Sequence, residues 1–163
     1  MSKIIRMFLF LGIISALSGL AIGSLNEVLK PVIADNDHKA LLANINDIFP
    51  DSDFSVVDYS DDVIKAVYKV DGKGLIIETS AVGYNNNSPI DVLIGFDLDD
   101  RIVAFKVMSQ QETNGYGSRC FEQANIEDNY LSNDDVDILS GATLTSKAVI
   151  KMVDAAKAYV RNN

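Results

Sequence analysis

The chain has 163 residues, with 14 Lys plus Arg against 23 Asp plus Glu, a formal charge of −9 and 48% hydrophobic residues. It is too apolar for a disordered acidic protein and too short for two ordinary domains, so one compact domain is expected. Outside residues 1–25, whose charges are Lys3 and Arg6, the chain holds 12 basic and 23 acidic side chains, and that balance of −11 excludes nucleic acid as a partner.

The first element is apolar. After Lys3 and Arg6, residues 7–25 form an uncharged run of 19 residues. As a helix it spans about 29 Å, close to the hydrocarbon thickness of a bilayer. Basic residues stand before the run, while Glu27 and Lys30 cancel after it, so the positive-inside rule puts the N-terminus in the cytoplasm. A cleaved signal peptide is the alternative, with Ala16-Leu17-Ser18 and Gly19-Leu20-Ala21 as small-residue spacings. The length of the run and its many Gly, Ser and Ala residues favour a retained anchor that packs against other membrane helices. Residues 1–30 are thus read as a transmembrane anchor in the cell (inner) membrane and 31–163 as an extracytoplasmic domain.

Beyond Pro31, Leu41, Leu42, Ile45, Ile48 and Phe49 predict an amphipathic helix over 35–49, with Asp35 or Asn36 as N-cap and Pro50 as terminator. The period then changes to two. Runs rich in β-branched and aromatic residues at 54–59, 63–70, 74–82, 90–98 and 102–108 alternate with turn signals such as Asp71-Gly72, Asn85-Asn86-Asn87 and Asp99-Asp100. Such short connections require antiparallel pairing, so a five-stranded meander is expected. Residues 110–133 are polar and irregular, with a short helix expected near 119–124. The stretch 144–160 places Ala148, Val149, Met152, Val153, Ala156 and Val160 on one face, an amphipathic helix. The fold class is therefore α+β: an N-terminal membrane helix, then an antiparallel sheet flanked by helices. Cys120 and His38 are the chain's single cysteine and histidine, which excludes an intrachain disulfide and argues against zinc.

Before the last helix runs Asp137-Ile138-Leu139-Ser140-Gly141-Ala142-Thr143-Leu144-Thr145-Ser146. Ser140-Gly141-Ala142 is a turn of small residues that admits another molecule close to the backbone, and it delivers Thr143 at a helix N-terminus. Thr145 or Ser146 can cap that helix, whose first amides attract an anion such as phosphate. Capping alone also explains these hydroxyls.

The run 137–143 resembles the flavinylation motif of FMN-binding domains, Asp-x-x-Ser/Thr-Gly-Ala-Thr/Ser. Continued through Thr145-Ser146-Lys147-Ala148-Val149, it is similar to the G component of the Rnf electron-transport complex and to the C component of the sodium-pumping NADH:quinone reductase. Glu112-Thr113-Asn114-Gly115-Tyr116-Gly117 resembles the family's Glu-Thr-Pro-Gly-Leu-Gly loop, and Gly83-Tyr84 its Gly-Tyr. Asn114 and Tyr116 depart from the family's Pro and Leu, and Asn85-Asn86-Asn87 stands where relatives have a Gly-containing turn.

The resemblance implies a membrane-anchored electron carrier with FMN joined to Thr143 by a phosphoester bond. The flavin is installed by an ApbE-type flavin transferase that uses FAD and Mg²⁺ and for which Asp137 serves in recognition. Ser140, Gly141, Ala142, Thr145, Ser146 and Lys147 would surround the phosphate, and Glu112 and Thr113 are candidates for tuning the flavin. Partners would be the other membrane and redox subunits of an Rnf-type ion-translocating ferredoxin:NAD⁺ oxidoreductase. Membership of a quinone reductase, a stand-alone exported flavoprotein and a non-redox anchored module are the alternatives. No nicotinamide glycine fingerprint or iron–sulfur cysteine set is present, so the chain is not expected to be the NADH or ferredoxin docking site. Whether it counts as an enzyme stays open, the resemblance implying a redox component of a complex and not a complete enzyme alone.

Overall fold

The computed structural model describes residues 3–131 and 136–163; the end of the predicted 110–133 loop, Ser132 and Asn133, lies outside them. The chain divides into two compact units, Met1–Ala43 and Asn44–Asn163.

The first unit is helical. Helix α1 runs over Lys3–Ile48 with Pro31 inside it, where the sequence predicts a break and a fresh helix from residue 35. A proline within a helix forgoes one backbone hydrogen bond at a cost of about 3 kcal/mol, which bends or weakens a helix without always ending it. Asp35 does not cap. Its carboxylate pairs with Lys39 one turn further on at 2.6 Å, and Lys30 pairs with Glu27 at 2.9 Å. Toward the N-terminus the helix is long and apolar enough to cross a membrane, and its large side chains, Phe8, Phe10, Leu17 and Leu20 among them, are exposed.

The second unit is built on a sheet in the order β1-β2-β3-β4-β5, every neighbour antiparallel. The strands are β1 (Phe54–Val57), β2 (Ile64–Val70), β3 (Gly74–Ala81), β4 (Ile90–Phe96) and β5 (Ile102–Ser109), within a few residues of the predicted runs. Strands β3 and β4 are buried almost throughout because both faces are covered. Helix α3 (Thr143–Asn162) covers one face, setting Val149, Met152, Val153 and Ala156 against Val67, Ile77, Val92 and Ile94. The last turn of α1 serves the other: Ile45 and Phe49 are buried, and Ile48 lies against Gly95, so close that a Cβ there would be 2.9 Å away.

Between β5 and α3 the chain winds through a 3₁₀ turn (Gly117–Phe121), the single turn α2 (Gln123–Asn125) and a π-helical segment (Ile126–Leu131), a longer path than the one short helix the sequence predicts. Side chains hold it together. Asn125 Nδ2 donates to the Cys120 carbonyl at 2.9 Å and to Tyr130 Oη at 3.1 Å, and the Tyr130 ring packs on Phe105 with centroids 4.5 Å apart.

Candidate functional site

The start of α3 is shaped by glycine. Gly141 has φ +83°, a left-handed conformation that side chains resist, and the Ala142 N–H closes the turn by donating to the Leu139 carbonyl at 3.0 Å. Ala142 is the N-cap, and its carbonyl accepts from the Ser146 N–H at 2.8 Å. No side chain caps the helix, so the expected capping by Thr145 or Ser146 is corrected. Both residues are buried and spend their hydroxyls elsewhere. Ser146 Oγ accepts from the Leu139 N–H at 3.0 Å and meets Cys120 Sγ at 3.5 Å, and Thr145 Oγ1 donates to Glu112 Oε2 at 2.5 Å. Thr143, the first residue of the helix, is exposed.

Glu112 organises the neighbourhood. Its side chain is buried, and a carboxylate in that position requires donors in place of water. Besides Thr145 it accepts from the Tyr84 N–H at 3.2 Å and the Asn85 N–H at 3.1 Å. Space for it is left by two glycines: a Cβ on Gly83 would stand 2.6 Å from Glu112 Oε1, and one on Gly117 would stand 2.7 Å from Oε2 and 2.6 Å from Thr145 Oγ1. Three segments distant in sequence, 83–85, 112–117 and the start of α3, are thus fastened to a single carboxylate. Its charge also reaches Cys120, whose thiol is pushed up from its ordinary value foremost by burial, with the Glu112 charge adding and the Ser146 hydrogen bond opposing.

Next to this hub opens a cavity of about 470 Å³, lined by Tyr84, Thr113, Tyr116 and Gly117 and by the stretch 141–145. A second hollow of about 500 Å³ shares Tyr84, Thr113 and Leu144 with it and adds Asn85, Asn86, Asn87 and Gln111. Both volumes fall in the range of small-molecule sites. Of the residues singled out in the sequence, Gly141, Ala142, Thr143, Thr145 and Thr113 line the first cavity; Glu112 and Ser146 lie buried behind it. Ser140, Asp137 and Lys147 do not line it. The sequence does not by itself assign Tyr84, Tyr116 and Leu144 to the site. Exposed aromatic residues beside glycines, in Gly83-Tyr84 and Gly115-Tyr116-Gly117, are the signal that points to the two tyrosines.

Hub, cavity and helix start all lie within residues 83–158, the stretch that matches the FMN-binding domain. The chain is also similar to the G component of the ion-translocating oxidoreductase complex of Vibrio atlanticus (strain LGP32), being 31% identical over 117 residues, 60% of this chain. The match spans 55% of that relative, about half of its length.

The residues present fit an FMN. The hydroxyl of Thr143 stands where the amides that open α3, which lack partners within the helix, meet the cavity. The adjoining space is walled in large part by aromatic and aliphatic carbon, as a flat ring system requires.

Proposed function

We propose that this chain is a membrane-anchored flavin electron carrier, with FMN joined to Thr143 by a phosphoester bond, serving as the G-type component of an Rnf-type ion-translocating ferredoxin:NAD⁺ oxidoreductase. The observation that carries this reading is the placement of Thr143: exposed, at the first position of α3, on the lining of a ligand-sized cavity. FMN, once bound, supplies one- and two-electron transfer.

The residues divide the work. Ser140, Gly141 and Ala142 form the turn that brings Thr143 to the surface, and the opening amides of α3 favour a phosphate in a domain whose overall charge opposes one. Thr145 and Glu112 fix the turn against the loop 112–117. Thr113 faces the cavity, and Lys147 lies one turn into the helix as a solvent-side cation for the phosphate. Attachment consumes FAD. Thr143 Oγ1 bonds to the phosphorus on the flavin side, the pyrophosphate link breaks, and AMP leaves. Among the described residues no side chain is hydrogen-bonded to the Thr143 hydroxyl, so its proton goes to a base supplied by the ApbE-type transferase, for which exposed Asp137 is the recognition residue. A covalent link keeps the flavin in place outside the cytoplasm, whatever the free pool.

In the same reading residues 1–30 hold the chain in the membrane, the N-terminus faces the cytoplasm, and residues 31–163 work on the outer side beside the other components of the complex. The apolar, unburied side chains of α1 support this. The test is co-expression with the transferase, then denaturing electrophoresis under ultraviolet light and intact mass. A fluorescent band with a mass gain of FMN less water is expected; a non-fluorescent band of unmodified mass would sink the attachment.

A further inference from the structure

The six tyrosines of the chain fall into two groups, and the chain has no tryptophan. Tyr59, Tyr68, Tyr130 and Tyr159 each pack against another aromatic ring. Tyr84 and Tyr116 do not. Among the described residues neither contacts a ring nor has its hydroxyl hydrogen-bonded, both are more than 60% exposed, and both line the cavity beside Thr143.

Their backbones are not loose. The Tyr84 N–H donates to Glu112 Oε2, and the Tyr116 N–H donates to the Thr113 carbonyl at 3.1 Å, just before Gly117, which abuts the same carboxylate. The Tyr116 ring also reaches across to the Ser-Gly-Ala-Thr turn: its Cδ1 lies 4.0 Å from where a Cβ of Gly141 would be. Two unpartnered aromatic side chains on anchored backbone around one ligand-sized cavity suit a planar π-system, which stacks on such faces. Gly141, in the same lining, leaves room for it.

We propose that Tyr84 and Tyr116 are the residues that hold the isoalloxazine ring, with Tyr116 packing on the ring portion nearest Thr143 and Glu112 acting as the positioning residue that sets both tyrosines. The proposal rests on the FMN reading above and deepens it. It has an optical signature. A phenol in contact with a photoexcited flavin passes it one electron and takes that electron back, so emission is lost and nothing is consumed. Without tryptophan, quenching in the folded protein falls to tyrosine.

The experiment uses the full-length chain carrying covalent flavin, in detergent, and compares native flavin emission with that of the same sample in denaturant. This ratio is independent of how much flavin each variant carries. Wild type is expected to show a clear loss of emission when native relative to the denatured sample, as close contact of the flavin with the two phenol rings implies. Tyr84→Leu and Tyr116→Leu are each expected to recover part of that loss, and the double variant nearly all of it. Tyr116→Phe keeps the stacking face but not the readily oxidised phenol, so it should recover emission while the native visible absorption band stays at its wild-type position. A native wild type as bright as the denatured sample, or a double leucine variant as dark as wild type, overturns the assignment while leaving the attachment intact. A chain that acquires no flavin overturns both readings and is recognised by the non-fluorescent gel band.

Discussion

The hydroxyl of Thr145 donates to the carboxylate of Glu112 at 2.5 Å, across 33 residues of sequence, and this bond closes the back of the cavity whose lining includes Thr143. Removing either partner leaves the other, a buried polar group, without it. Thr145→Val takes one donor from a buried carboxylate, and Glu112→Ala leaves the Tyr84 and Asn85 amides and the Thr145 hydroxyl without acceptors. Each is expected to cost about 1–3 kcal/mol in urea unfolding. The double variant should cost clearly less than the sum of the two, with a coupling of about 0.5–3 kcal/mol, as for residues in one network. Strict additivity would mean that the bond contributes nothing.

Thr143 should behave in the opposite way. It is exposed and caps nothing, so Thr143→Ala is expected to change stability by no more than about 0.5 kcal/mol while abolishing the fluorescent band. Thr145→Ala should keep the band at reduced stability. Persistence of covalent flavin in Thr143→Ala would move the attachment to another hydroxyl.

Gly117 offers a steric test of the hub. A methyl group there meets Thr145 Oγ1 and Glu112 Oε2 at distances real contacts do not reach, so Gly117→Ala forces the loop or the helix start to move. A loss of about 1–3 kcal/mol is expected, together with weaker flavin loading by gel fluorescence. Gly72 is the control. It sits in a turn with open space around it, and although its φ of +68° brings a local strain, Gly72→Asn should leave loading unchanged.

Cys120 predicts an alkaline limit. Its thiol is fully buried and its folded-state value is raised above 9.0, foremost by burial. A raised value favours the protonated, folded form, so its contribution is complete below about pH 9 and is lost as the pH rises from there through the folded value. Tyr130 and Tyr68, raised by burial as well, begin to add to the loss above pH 10. Stability measured from about pH 7 to 10 should therefore fall, and Cys120→Ala should remove the earliest part of the decline. At neutral pH the native thiol should resist alkylation and react on unfolding.

How much of this is legible in the sequence follows from the range of the forces involved. Strand alternation and the 3.6-residue stripe on α3 are local, and both can be read to within a few residues. The continuity of α1 through Pro31 escapes such a reading because a proline looks like a break unless flanking helix outweighs one lost hydrogen bond. The attachment motif is legible as a resemblance, but the fate of its hydroxyls is not: Thr145 and Ser146 look like caps until Glu112, Leu139 and Cys120 arrive from elsewhere. Glu112 stands out only through the resemblance, as a candidate for tuning the flavin; its burial is not legible, since that depends on donors 27 and 28 residues upstream.

The separation of those donors bears on when the chain becomes ready for its cofactor. As synthesis proceeds, the Tyr84 and Asn85 amides exist before Glu112, and Thr145 comes last of the groups on that carboxylate. The lining is therefore complete only once the start of α3, made last of these segments, is in place. In the proposed reading, a transferase that recognises both the turn at 140–143 and its surroundings would meet them first on a domain whose last helix is in place, and chains lacking a docked α3 would pass unmodified.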